Sequence, residues 1–412
     1  MRLLRNVWGK EYQHFSRLGD QARRLIVAIF LYNLISPIFT IFVNAFLWRH
    51  GHSFIEVASY NLALYVTIAL GFYLNGLLLK KFPSNQLYSV SLLLGSIVIA
   101  TLIFLPTISL WTIILFGLID GIAAGMYWAN RNLLTLRTTR SDNRIYFSGI
   151  ETISTTASDI FIPVLIGFFI TAGTGIALYT PLLAYKLLAL ILIVTSAGIA
   201  LQTLGMKPEK ESITSLWLHR PSPGWEMFRW YEFCVGFRTG TVAFFPTLII
   251  FVFVGNEAAL GTIQSLSALL SAFVMYHIAK KVTTSARMRL VFVSIFFSFF
   301  GAISFSVLFS TLGVFLFFAA IAISKPILWV SINSLNYDLI DAHKESHAHY
   351  AHVCDQEIYL NAGRVVAIAL FIYFVMNLSN EFALRITPLI YAVFQILIVF
   401  FAKATEKKHA KI

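Results

Sequence analysis

The sequence predicts an all-α integral membrane protein, with twelve spanning helices arranged as two pseudo-symmetric bundles of six. Three observations carry this prediction. The composition is too apolar for a water-facing surface, twelve apolar segments have bilayer length, and several motifs recur in the same order in both halves.

Of the 412 residues, 58% are hydrophobic and 12% are charged. A soluble domain is about 45–50% apolar and about 25% charged, so lipid has to solvate most of the outside. Cys234 and Cys354 form no disulfide framework and have no metal or haem spacing. The net charge of +12 does not point to nucleic acid, because no soluble domain is left to carry such a surface. Anchoring at an anionic cytoplasmic membrane surface accounts for it. Residues 1–24 read as a basic amphipathic segment on that surface: Leu4, Trp8, Tyr12, Phe15 and Leu18 recur at steps of three and four, with Arg2, Arg5, Lys10 and Arg17 among them.

A spanning helix needs roughly 20 apolar residues. Segments near 25–48, 57–79, 87–105, 109–133, 146–171 and 178–203 qualify in the first half. Those near 227–253, 257–279, 289–310, 312–337, 355–376 and 382–402 qualify in the second. Short turns such as "FLPTISLW" and "STLG" separate neighbours. The longest polar connection, "GMKPEKESITSLWLHRPSPGW", collects Pro, Ser and charge and reads as a linker over 204–226. It divides a bundle over 25–203 from one over 227–403, and 404–412 forms a basic tail. Lys and Arg crowd the two tails and alternate loops, whereas the opposite loops hold only Arg49 and Arg385. Both termini are therefore expected on the cytoplasmic side of a cell inner (plasma) membrane.

The repeat is read from ordered matches. "MYWANRNLL" in segment four places Trp128, Asn132 and Leu134 at one constant offset from Trp329, Asn333 and Leu335 of segment ten. Lys80-Lys81 after segment two match Lys280-Lys281 after segment eight, and Glu151 at the start of segment five matches Glu357 at the start of segment eleven. Three matches in one order favour internal duplication.

Six plus six helices, both ends inside, a basic central linker and a duplicated half together resemble the major facilitator superfamily. In loop 2–3, "GFYLNGLLLKK" supplies Gly71, Asn75, Lys80 and Lys81, with Asn75 where that family's motif has an acid and Leu78 where it has a later Gly. "SDIFIPVLIGFF" keeps Pro163 and Gly167 of the antiporter motif without its Gly-Pro pair. The resemblance implies alternating access, with helices one, four, seven and ten lining a midplane cavity and two, five, eight and eleven closing it. It also places substrate contacts where the halves meet.

A charge in the bilayer centre costs at least about 2.5–3.5 kcal/mol, so it faces protein or water. Asp120 in segment four and Lys325 in segment ten are expected to face one another as a substrate- or proton-sensitive pair, or as a static ion pair. Asp159 in segment five is a second proton-coupling candidate beside Asp120, because a desolvated carboxyl takes up a proton nearer neutrality. Arg238 and Arg364, with Lys325, hint at an anionic or zwitterionic solute. The alternative is that each Arg pairs with an acid two turns earlier, Glu232 or Glu357. Asn33 with Pro37, and Pro246 of segment seven, mark helices in which a proline releases carbonyls toward the cavity. Tyr127 and Trp329 are further contact candidates. Asn75, Lys80, Arg131, Asn132, Glu151, Asn333 and Glu357 form the expected cytoplasmic gate. His343, His347, His349 and His352 lack metal-finger spacing and are read as a solvated loop, with metal regulation a minor alternative.

The expected function is secondary active transport of a small organic solute, coupled to protons. A lipid-linked flippase or a multidrug antiporter on the same fold is the alternative. No Walker loop is present, no cofactor is expected, and an enzyme would need converging His and acidic residues. The expected partners are a small-molecule substrate, membrane lipid and H+, without nucleic acid, for a chain acting as a monomer.

Overall fold

The computed structural model describes residues 15, 18–140, 143–208, 213, 215–218, 221–279, 287–342 and 349–409. Most of the amphipathic segment expected over 1–24 lies outside these residues. Among them, twelve helices are long and apolar enough to cross a membrane. In the first half they are α1 (Asp20–Gly51), α2 (Phe54–Leu78), α3 (Ser84–Phe104), α4 (Leu110–Thr138), α5 (Arg144–Gly175) and α6 (Pro181–Leu204). In the second half they are α7 (Pro223–Phe253), α8 (Glu257–Ala279), α9 (Arg287–Leu308), α10 (Thr311–Ala342), α11 (His349–Asn377) and α12 (Asn380–His409).

The turns are short because the helix starts are well capped. Ser53 accepts a hydrogen bond from the Glu56 amide, Ser109 from Thr112, Thr180 from Leu183 and Ser222 from Trp225. Pro181 and Pro223 follow their caps at the first helical position, where no amide hydrogen is needed. Apolar content misses the solvated ends: α10 runs to Ala342, beyond the expected 337, and α11 starts at His349 rather than 355. Their polar end turns still form helix, because backbone bonding does not require apolar side chains.

Two helices are interrupted, both by proline. After Pro37, α1 passes through a π-helical turn (Ile38–Phe42) before resuming at Val43. Proline offers no amide to the carbonyl four residues back, at Asn33, and the Ser36 hydroxyl donates to that oxygen instead at 3.2 Å. In α7 regular helix stops at Val242, four residues before Pro246, and restarts at Phe245. The carbonyl of Ala243, freed at this break, accepts a hydrogen bond from Asn44 of α1 at 3.2 Å. The broken segments of α1 and α7 thus meet each other.

Packing separates two groups of six. In the first, α4 lies against α2 and α3, α3 against α6, and α1 against α5 and α6. In the second, α9 lies against α10 and α12, α7 against α11 and α12, and α8 against α10. Two seams join the groups: α5 with α8 and α2 with α11. One end of the molecule carries the central linker, here called the linker face; the other, with the α1–α2 and α7–α8 turns, is the far face.

Glycine makes the closest approach possible. A Cβ at Gly121 of α4 would sit 2.1 Å from the Leu64 carbonyl oxygen and 2.2 Å from Thr67 Oγ1 of α2. That is backbone against backbone, the small-residue packing lipid-embedded helices rely on. Gly121→Val is expected to cost about 3 kcal/mol by overpacking. Thermal unfolding of the detergent-solubilised protein checks this, and a midpoint unchanged from the parent would refute it.

Candidate functional site: a polar track between the bundles

The track begins on α5, where Glu151, Thr155 and Asp159 recur at steps of four and share a helix face. Asn33 of α1, 5% exposed, donates to Ser154 Oγ at 3.1 Å and Thr155 Oγ1 at 3.0 Å. Its place one helical turn before Pro37 puts it beside the π-helical distortion. Glu151 forms an ion pair with Arg131 of α4, whose guanidinium lies 4.7 Å from the centre of the Trp128 ring. Next along the track, Asp159 lies within electrostatic range of Lys325 on α10, and both side chains are exposed to the space beside them. The two charges belong to different groups of six.

Asp120 does not meet Lys325 as expected. Its Oδ2 accepts a 2.6 Å hydrogen bond from the Tyr60 hydroxyl, and it is 5% exposed in the core between α2 and α4. Pseudo-symmetry was a guide to depth only. The side chain turns toward the neighbouring helix of its own bundle, and the acid that lies within electrostatic range of Lys325 is Asp159.

On the second bundle, Arg364 of α11 donates to Asn361 Oδ1 at 3.0 Å and Thr239 Oγ1 of α7 at 3.3 Å. Its guanidinium sits 4.8 Å from the ring centre of Tyr65, which belongs to α2 across the seam. Glu357 accepts from Asn361 at 3.0 Å, and Glu232, 3% exposed, accepts from Gln356 at 3.0 Å. Both carboxylates feel Arg364 electrostatically, and Glu232 feels Glu357. Arg238 takes another route: its Nε donates to the Tyr391 hydroxyl at 3.2 Å, with no acid in ion-pair range among the described residues. Among the described residues neither arginine forms an ion pair: Arg364 binds Asn361 and Thr239 within electrostatic range of both carboxylates, and Arg238 binds a phenol.

The expected gate residues divide. Asn75 and Asn130 exchange hydrogen bonds of 3.3 and 2.6 Å, and Asn75 also donates to Tyr350 of α11 at 3.2 Å. The Tyr350 hydroxyl donates to the Phe72 carbonyl at 2.7 Å. This seals α2 to α11 near the linker face, and Leu216 of the linker packs into the same cluster. Asn132 and Lys80 are exposed and take no part in that seal. Asn130, fully buried, is the amide that the end of α4 uses, because it follows Met126 by four residues on the face packed against α2. The side chains of Trp329, Asn333, His343, His347 and His349 lie outside the described residues. His352 stands edge-on to the Trp225 ring at 4.4 Å. Among the described residues no group of three or more His, Cys, Asp or Glu is placed to hold a metal.

The far face holds a lock that sequence reasoning passed over. Arg49 at the end of α1 makes a bidentate ion pair with Glu257 at the start of α8, at 2.6 and 2.7 Å. The Tyr185 hydroxyl of α6 donates to the same carboxylate at 3.1 Å. The available signal was charge: Arg49 is one of two basic residues on that side, and Glu257 opens a helix that follows a short turn. On the same face Thr171 of α5 accepts from the Ala258 amide at 3.0 Å.

No family model matches the chain. An uncharacterized protein of Bacillus subtilis strain 168, YqgE, is 27% identical over 382 residues, covering 90% of this chain and 87% of that protein. A bacterial homologue of the iron transporter ferroportin, solved in its inward-facing state, superposes with a TM-score of 0.69 at 12% identity, over 93% of this chain and 98% of that one. The nucleoside transporter NupG superposes with a TM-score of 0.66 at 15% identity, over 94% and 100% of the two chains. At such identities the likeness speaks for the fold. The chain shares the twelve-helix, two-bundle fold of these solved structures.

Proposed function

We propose that the chain is a secondary active transporter that moves a small organic solute by alternating access. It works in an inner (plasma) membrane with both termini cytoplasmic, and protons drive it through Asp159. The observation that carries this reading is a pair of opposite charges on different bundles: Asp159 of α5 lies within electrostatic range of Lys325 of α10, beside a polar track from Arg131 through Glu151, Thr155 and Asn33. Rocking the bundles apart would change the distance between these charges, and protonating Asp159 would remove their attraction. That is how a proton and a rigid-body motion become linked. Further support comes from the two interrupted helices meeting at Asn44 and Ala243, and from the structural neighbours, a nucleoside transporter and a homologue of an iron transporter. The Lys and Arg bias supports the orientation.

The test is a proteoliposome assay with an imposed pH gradient and a panel of solutes. Asp159→Asn is expected to abolish gradient-driven accumulation while counterflow exchange continues. Lys325→Ala is expected to weaken both at least tenfold. Asp120→Asn, whose amide can still accept from Tyr60, is expected to stay within threefold of the parent. Accumulation by Asp159→Asn equal to the parent's would overturn the proton assignment. A parent that moves no solute under any imposed gradient would overturn the transporter reading.

A further inference from the structure

We infer that the first bundle holds a stacking site for a planar heteroaromatic ring with hydrogen-bond acceptors on its edge. The inference rests on the transporter reading and gives it a substrate class.

The Tyr32 ring of α1 stacks on Tyr127 of α4 at 4.4 Å and 25°. Trp128 meets both rings edge-on, at 6.4 Å from Tyr32 and 5.4 Å from Tyr127. Tyr88 of α3 backs Tyr127 at 5.0 Å. Tyr88 and Tyr127 are buried and Tyr32 is half-buried, yet Trp128 keeps 39% of its surface exposed. That surface is not a lipid face. Trp128 touches α1 through Tyr32 and carries the Arg131 guanidinium, which is itself paired to Glu151 of α5. It therefore opens between α1, α4 and α5, beside the polar track. Trp128, perpendicular to two other rings and with the Arg131 guanidinium over its ring, keeps a rigid, partly exposed apolar surface beside the track.

A second, independent observation concerns hydrogen bonding. Among the described residues the Arg131 Nε is buried without a hydrogen-bond partner, and the Tyr88 and Tyr127 hydroxyls beside it lie within reach of one another with no bond of good geometry to any other protein group. Buried donors left unpaired are rare in native proteins. The phenols can share one hydrogen bond, which leaves one phenol hydrogen and the Arg131 Nε–H to give, so the missing component supplies acceptors. Stacking surface and convergent donors together describe a conjugated ring with carbonyl, ring-nitrogen or carboxylate edges. A cationic ring is disfavoured, because Arg131 already lies over the indole.

The test uses the purified full chain with uracil and nicotinate as planar probes, and glucose and cyclohexanecarboxylate as non-planar ones. Binding is read by tryptophan fluorescence, as the parent signal less that of Trp128→Phe, and by equilibrium dialysis. Planar probes are expected to bind and non-planar ones not. Trp128→Leu and Tyr32→Leu are expected to weaken planar-probe binding by about tenfold or more, the scale of a lost stacking contact, while Trp128→Phe stays within about threefold. Unchanged thermal midpoints of the leucine variants establish that they fold. The inference is overturned if no planar probe binds, if both probe classes bind alike, or if both leucine variants bind as the parent does. Parent-rate counterflow of a non-planar solute by Tyr32→Leu would overturn it too and leave the transporter reading standing. Trp128-dependent binding in a parent that transports nothing would keep the site and discard the transport role.

Discussion

Arg49→Ala is expected to open the far face. Glu257 is 1% exposed, and its two strongest bonds are to the Arg49 guanidinium. Removing the arginine leaves a buried carboxylate with only the Tyr185 hydroxyl. Stripping the partner from a buried charge costs about 3–5 kcal/mol. The lower end, about 3 kcal/mol, applies here because the Arg49 side chain keeps 39% exposure and water already screens part of the attraction. The lock joins α1 and α6 of one bundle to α8 of the other, so its loss weakens one arrangement of the bundles rather than either bundle alone. At 1.4 kcal/mol per tenfold, the balance between closed and open far face shifts by about a hundredfold. The measurement is thiol labelling of Ala243→Cys, which lies at the α7 break against Asn44, with Cys234 and Cys354 replaced by Ser. Labelling is expected to be many times faster when Arg49→Ala is added. An unchanged rate would mean that the ion pair does not hold this face shut. Glu257→Gln is expected to act in the same direction and less strongly, because the amide still accepts from Tyr185.

Arg364→Ala is expected to destabilise the second bundle itself. Glu232 and Glu357 are held away from water within electrostatic range of each other, and Arg364 is the cation both of them feel. Without it, two like charges face one another with only Gln356 and Asn361 as hydrogen-bond donors. The expected loss is about 1–3 kcal/mol, the scale of losing hydrogen bonds made by a charged group, read as a fall in the thermal midpoint in detergent. Repair by a second change is the sharper expectation. Arg364→Ala with Glu232→Gln removes one of the stranded charges, and the amide still accepts from Gln356. The double variant is therefore expected to recover more than half of the lost midpoint. A double variant no more stable than the single one would show that the arginine acts through its contact with Tyr65, not through the carboxylates.

Much of this architecture was legible in the order of residues. Helix spans followed from apolar length, and the breaks in α1 and α7 followed from Pro37 and Pro246, because a proline's effect on the carbonyl four residues back is local chemistry. Which helix carries Asp159, Lys325, Arg364 and Glu357 was legible for the same reason: helical rise converts sequence position into height along a helix. Partner choice was not. Asp120 was expected to meet Lys325, and it binds Tyr60 because its side chain leaves α4 toward α2. Asn132 was expected at the gate; it is exposed, and the amide that bonds Asn75 is Asn130, because rotation by two residues moves an amide to another face of the helix. Arg49 and Glu257 are far apart in sequence, and nothing local joins them.

What the sequence determined by itself is the solvent this protein folds in, the number and length of its helices and the places where they bend. Each of these depends on interactions within a few residues or with the bilayer. The tertiary structure alone decided which buried charge faces which, where the aromatic corner opens and which residues lock each face. A helix fixes the height and direction of every side chain it carries, but the identity of the group met there depends on how the helices rotate and lean when they pack.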